Sequence, residues 1–175
     1  FNVNIVTESI ETGYPQDNVR VYYALNTTQE KEYVNNEIFT EPIRIKIDKF
    51  SPVKTEIEFV RLFQGLNKLE RRLVADDIIK KIGAPNINFS KMLSKKDVVY
   101  LHKNGAEIGS HTHSHPMLSN ITDSELYFEL THSKKILEDL CGASIDIIAF
   151  PDGKYNKKVI EKSIELGYSH LLLTD

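Results

Sequence analysis

Phe1, Val3 and Ile5 alternate with Asn2 and Asn4, the period-two signature of a strand, which gives way to the loop Glu11-Thr12-Gly13-Tyr14-Pro15. Asn18 to Leu25 then reads as a short helix. Alternation returns where Ile43, Ile45 and Ile47 stand between Arg44, Lys46 and Asp48, predicting a second strand that ends before Pro52. Thr55 caps an expected helix carrying Ile57, Val60 and Phe63. A longer helix is expected from Lys68 to Ile82, with Leu69, Leu73, Ile78, Ile79 and Ile82 on its apolar side and Gly83 as its stop. Residues of about 15–92 therefore read as a mainly helical elaboration ending in the linker GAPNINFSK.

Beyond that linker the order becomes regular. Ser94, with Asp97 three positions on, predicts a capped helix over Lys95 to Asn104 that Gly105 closes, followed by a strand from Ala106 to Gly109. Thr122 and Glu125 form the next capping box, opening a helix that ends near Cys141 with Gly142 behind it. A strand at Ile145 to Phe150, the turn Pro151-Asp152-Gly153, a helix from Asn156 to Leu166 and a strand from Ser169 to Thr174 complete the series. Strands and helices alternating at this spacing predict a parallel α/β sheet or barrel rather than an antiparallel sandwich.

Composition narrows the function classes. The chain has 175 residues, enough for one core, so a single domain over 1–175 is expected. A net charge of −3 from 22 basic and 25 acidic residues offers no footprint for a polyanion, so no nucleic-acid partner is expected. No apolar run approaches the ~20 residues of a membrane-spanning helix. Cys141 is the only cysteine, which excludes an internal disulfide and a multi-thiolate zinc site, and it reads as small apolar packing at a helix end. Phe1 opens the sequence inside a strand-like alternation, which reads as a cut within a longer chain; the compartment is left open between cytoplasm and bacterial cell envelope or secretion. Oligomeric state is likewise left open.

The candidate chemistry lies in EIGSHTHSHPML, residues 107–118. A loop leaving the carboxyl end of a strand is where an α/β scaffold collects functional groups, and neutral imidazole is the commonest protein metal ligand. His111 and His115, four positions apart, can converge on one ion if the chain between them turns; Pro116 disfavours a continuous helix through His115. His113 is then expected to point elsewhere. Two histidines do not complete a zinc site, so a carboxylate has to come from another segment. The plainer reading is a solvated loop in which Thr112 and Ser114 satisfy backbone groups. His102, His132 and His170 read as surface or satisfied histidines, and Asp97, Asp123 and Glu125 as helix-start carboxylates. KLERRLVADDIIKK reads as a solvated helix face, and Asp146 and Asp175 as strand-edge or terminal polarity.

SKKDVVYLHKNGA, EIGSHTHSHPML and ELYFELTHSKKILEDLCG together resemble the polysaccharide deacetylases of the NodB-homology type, whose H-[ST]-x-x-H metal motif corresponds to His111-Thr112-His113-Ser114-His115. IIAFPDGKYN resembles the FAYPYG-type strand end of one branch, and LGYSHLLLTD the segment after it. The resemblance covers roughly residues 93–175, with 14–83 similar to the helical insertion of some members and FNVNIV similar to their second barrel strand. It implies a partial distorted (β/α)7 barrel, related to the TIM barrel, lacking its first strand and its C-terminal part. It implies a metal-dependent hydrolase removing N-acetyl groups from an N-acetylglucosamine-type carbohydrate, breaking a carbon–nitrogen bond other than a peptide bond. His111 and His115 would hold the divalent metal, zinc first, and Thr112 would brace the loop. Pro151 and Asp152 would line the substrate groove, with the Asp152 N–H an oxyanion donor.

This chain departs from the family pattern. The TFDDG motif, with the base and the third ligand, would fall before Phe1, and the catalytic acid histidine beyond Asp175. Ala149 stands where many members have arginine, and Asp152 where an aromatic residue is usual. The chain by itself is therefore expected to be inactive. The rival reading is a non-catalytic carbohydrate-binding or metal-binding pseudoenzyme; a third is another barrel hydrolase, an O-deacetylase or amidase.

Overall fold

The computed structural model describes residues 1–27, 32–35, 43–46, 66–81 and 92–173. The helix expected around Ile57 to Phe63 and the linker GAPNINFSK lie outside the described residues. In chain order the elements are β1 (Asn2–Ile5), α1 (Thr7–Thr12), α2 (Asp17–Thr27), β2 (Glu32–Asn35), β3 (Ile43–Lys46), α3 (Lys68–Lys81) and α4 (Lys95–Lys103). Then come β4 (Glu107–Ser110), α5 (Asp123–Cys141), β5 (Ile147–Ala149), α6 (Lys157–Glu165) and β6 (His170–Leu172). Contacts divide them into two compact units, one of Phe1–Tyr14 with Lys91–Asp175 and one of Pro15–Ser90.

The first unit is an α/β layer. Its four strands are all parallel in the order β1-β4-β5-β6, with Ile5 opposite Ser110, Ser110 opposite Ile148, and Ile148 opposite Leu171. Helices α5 and α6 make the crossovers that parallel neighbours require. Helix α5 presents Leu126, Leu130, Ser133 and Leu137 as one buried stripe, and this face joins Ile108, Ile148, Phe150, Val159 and Tyr168 in the core. Truncating a fully buried leucine such as Leu130 to alanine costs about 2–5 kcal/mol.

Local signals end these helices where the sequence predicts. Ser94 accepts from the Asp97 N–H and Thr122 from the Glu125 N–H, each returned by the carboxylate in a full capping box. Gly142 stops α5 in the left-handed region at φ 66, where a Cβ would be strained. At Gly109 space is short: an added Cβ would lie 2.2 Å from Asn4 Oδ1 and 3.1 Å from Ile147 Cγ2, so the Asn4 side chain would have to move.

The second unit differs from expectation in two places. Glu32–Asn35 pairs antiparallel with Ile43–Lys46, a hairpin whose polar first strand carries little alternation. On α3, Leu69 and Leu73 are 68% and 49% exposed; the buried residues are Val74, Ala75 and Ile78, on the opposite side of the helix. Helix α3 packs on α2, where Val21 is buried. Arg20 on α2 bonds Asp17 at 2.8 Å and Asp76 of α3 at 2.5 Å.

Candidate active site

Strand β4 ends at the fully buried Ser110, and within the next five residues the backbone turns left-handed twice. Thr112 has φ 67 and His115 φ 57, the left-handed region that a β-branched residue rarely occupies and that costs about 1–3 kcal/mol. Hydrogen bonds hold it there. Ser110 Oγ accepts from the Thr112 N–H at 3.1 Å, and Thr112 Oγ1 accepts from the His115 N–H at 3.1 Å. The carbonyls of Thr112 and His113 take the N–H groups of Thr7 and Glu8 at 3.2 and 2.9 Å, fixing the loop to the start of α1. Beneath Ser110, its hydroxyl meets Ser133 Oγ of α5 at 2.7 Å.

The main brace is Glu129. One oxygen of this buried carboxylate accepts from the N–H groups of His113 and Ser114, both at 2.8 Å, and the other from Ser114 Oγ at 2.5 Å. Sequence reasoning missed it, because a glutamate on an amphipathic helix carries no local mark of burial. Its signal is positional: Glu129 falls beside Leu126 and Leu130 on the inward side of α5.

The loop sends its imidazoles in two directions. The rings of His111 and His115 lie edge to face with centroids 4.7 Å apart, so both leave the strand end together. His111 Nδ1 is 2.8 Å from the carbonyl oxygen of Ala149. A carbonyl only accepts, so Nδ1 carries the proton and the neutral ring keeps its lone pair on Nε2. Ala149 closes β5, and Pro151, buried, and Asp152, exposed with φ 54, follow it in a 3₁₀ turn. The exits of β4 and β5 are thus neighbours, with His111 bonded across them. Among the described residues no third His, Cys, Asp or Glu joins His111 and His115 in a metal-sized cluster.

His113 turns to α1 and α5. Its Nδ1 is 2.9 Å from Thr7 Oγ1, and its ring meets His132 and Phe128 edge to face at 4.7 and 5.5 Å. Glu11, His113 and His132 form the one group of three metal-capable side chains among the described residues, their ligand atoms all within 4.8 Å of one another. Lys95 bonds Glu11 at 2.8 Å and is the chief reason the Glu11 carboxyl lies below its usual range. His132, read from the sequence as a surface or satisfied histidine, is half-buried and is part of this group.

The remaining singled-out residues lie elsewhere. Asp146 precedes β5, at the opposite end of that strand from the turn at Pro151, and its carbonyl accepts from Ser169 and His170. Asp97 and Glu125 serve their caps, and Asp123 pairs with Lys158. Cys141 is partly buried, which pushes its thiol up and away from nucleophilic use. No helix among the described residues is long and apolar enough to cross a membrane.

A family model described as polysaccharide deacetylase matches residues 75–171. YxkH of Bacillus subtilis (strain 168), a candidate polysaccharide deacetylase, is 26% identical over 90 residues, which make up 51% of this chain and 32% of that protein. Chitin deacetylase 1 of Cryptococcus neoformans var. grubii is 27% identical over 86 residues, 49% of this chain and 18% of that one. The Streptococcus pyogenes deacetylase PplD, solved in complex with acetate, aligns at 24% identity and a TM-score of 0.48, covering 59% of this chain and 50% of that one. The chain spans a third or less of the length of the two curated relatives it matches.

Proposed function

The chain belongs to the polysaccharide deacetylase family, and from that premise we propose that it is part of a metal-dependent hydrolase removing N-acetyl groups from an N-acetylglucosamine-type glycan. The observation that carries this reading is the convergence of His111 and His115 at the end of β4, with the His111 tautomer set by Ala149. A Nε2 lone pair backed by a donated Nδ1–H is the donor form a divalent ion requires, so the pair fits zinc as two of its ligands. The whole domain is proposed to close as a distorted (β/α)7 barrel around the parallel sheet.

A bound zinc ion supplies Lewis acidity, making a nucleophile of water near neutral pH and polarising the acetamide carbonyl. This chain's residues position and enclose. The carbonyl of Ala149 holds His111, and Thr112 Oγ1 holds the backbone of His115. Pro151 and Asp152 would wall the groove at the adjacent strand exit, with the Asp152 N–H offered to the developing oxyanion. A carboxylate base and an acid for the leaving amine are also needed. The described residues bring no carboxylate to the histidine pair, so we assign those roles to other parts of the protein and expect the 175-residue chain alone to be inactive.

That lack of a third ligand also favours the second reading, a pseudoenzyme that binds glycan without cleaving it. Acetate release from N-acetylglucosamine oligomers decides between them. The full-length protein should release acetate in a zinc-dependent way, and His111→Ala should lower the rate on the order of 10³-fold, beyond the roughly 10–100-fold typical of losing an outer-shell partner. An unaffected His111→Ala rate removes the site assignment. Binding without acetate release by the full-length protein establishes the pseudoenzyme. Metal-dependent turnover by the 175-residue chain overturns the expectation that it is inactive.

A further inference from the structure

We propose that Glu11, His113 and His132 form a second cation site, one that takes zinc or another borderline divalent ion and clasps α1, the histidine loop and α5 together. Two imidazoles and one carboxylate are a recurrent zinc donor set, and they leave a fourth position for water or an added ligand. The three ligand atoms lie within 4.8 Å of one another without an ion. Tetrahedral zinc with ~2.0–2.1 Å bonds asks for separations of roughly 3.3 Å, a closure that side-chain rotation supplies.

Each donor is already oriented. His113, only 9% exposed, is pinned at both ends of its peptide unit: its N–H goes to Glu129 and its carbonyl receives the Glu8 N–H. Its Nδ1 meets Thr7 Oγ1 at 2.9 Å, and the fully buried threonine is the outer-shell partner that orients such a ring. His132 stacks on Phe128 with centroids 4.7 Å apart and planes 19° from parallel, which holds its ring toward His113. Glu11 brings a carboxylate whose ionised form is favoured further by its pairing with Lys95. That ammonium competes with a cation, yet it engages Oε1 from a side chain 46% exposed, so it can swing into water as an ion enters.

An aromatic box of two histidines and a phenylalanine beside an ion pair would show the same contacts with no use for metal. The two readings differ in what zinc does. An ion bound to the folded state alone raises stability by mass action. The inference does not depend on the deacetylase reading, because none of its ligands belongs to the His111 and His115 pair.

The test uses the full-length protein, stripped of metal, in a His111→Gln/His115→Gln background that removes the other histidine pair. Zinc is titrated calorimetrically and melting is followed with and without zinc. One zinc should bind and raise Tm. Adding His132→Gln should weaken binding at least 100-fold and abolish the Tm rise. Thr7→Val should weaken it about 10- to 100-fold while retaining the stoichiometry. Should His132→Gln disturb folding, Glu11→Gln at the exposed position must give the same loss. Failure of the background protein to bind zinc, or unchanged affinity in His132→Gln or Glu11→Gln, overturns the site. Acetate release that proves zinc-independent would overturn the deacetylase reading and leave this result standing.

Discussion

His111 and His113 stand two residues apart on one loop, yet different parts of the fold orient them. The ring of His111 is set by the sheet, because the carbonyl that fixes its proton belongs to the last residue of β5. The ring of His113 is set by helices: Thr7 begins α1, and Phe128 and His132 lie one turn apart on α5. A strand would separate alternate side chains to two faces by pleating alone. Here the separation survives in a turn, at the cost of left-handed backbone at Thr112 and His115. The lesson is that a run of alternating histidines can serve two places when each ring has its own outer partner.

The change that should break both sides at once is Glu129→Ala. It leaves the N–H groups of His113 and Ser114 without their acceptor, at about 1–3 kcal/mol for each group that stays buried, so a loss of about 3 kcal/mol is expected from urea denaturation. Glu129→Gln keeps an acceptor oxygen and should lose less. A Glu129→Ala loss below about 1 kcal/mol would mean that water replaces the carboxylate and the loop is not held through α5.

A smaller and more selective effect is expected of Ser133→Ala. It deprives Ser110 of one hydroxyl partner immediately before His111, and should cost about 1 kcal/mol in the same assay. Because Ser110 Oγ also accepts from the backbone N–H of Thr112, combining Ser133→Ala with Ser110→Ala should give less than the sum of the two losses if the two hydroxyls act through their mutual bond. Simple additivity would mean that each serine contributes independently of the other.

The smallest effect concerns the start of α5, far from either ring. Hydrogen bonds from the Thr122 hydroxyl and then from its backbone N–H hold the Glu125 carboxyl below its ordinary 4.5. A depressed folded-state value means that this stabilisation is full above 4.5 and is lost as pH falls through the lower folded value. The Tm gap between the protein and Glu125→Gln should therefore be steady near neutrality and close as pH falls through the lowered folded-state value. A gap that persists unchanged in acid would place the effect in packing instead of charge.

Local interactions were the legible part of the sequence. The capping boxes at Ser94 and Thr122, and the stop at Gly142, depend on residues within a few positions and stand where they were expected. The parallel sheet followed from the order of strands and helices. Helix α1 was not legible: it follows β1 with a single residue between, its N-cap is Val6, which makes no side-chain cap, and its six residues are too few for a periodic stripe. Leu69 and Leu73 misled because hydrophobic identity does not say which side of a helix meets its partner. At the site, the convergence of His111 and His115 was readable from their spacing, since both belong to one loop. The roles of Glu129, Thr7, Glu11 and His132 were not, because each meets the loop from another segment.

Sequence distance also orders the assembly of the site in time. The side-chain amide of Asn2 bonds the carbonyl of Glu107, 105 positions away, and Thr7 meets His113 across 106. Closing so long a span is opposed by chain entropy that rises only slowly with length, but nothing rewards it until both ends exist and the distant strand is ready to receive β1. On a ribosome β1 must wait for roughly a hundred further residues. The bonds from β1 and α1 to the histidine loop can therefore form only after the intervening residues exist, whereas its bonds to Glu129 span 16 and 15 positions and need no such wait.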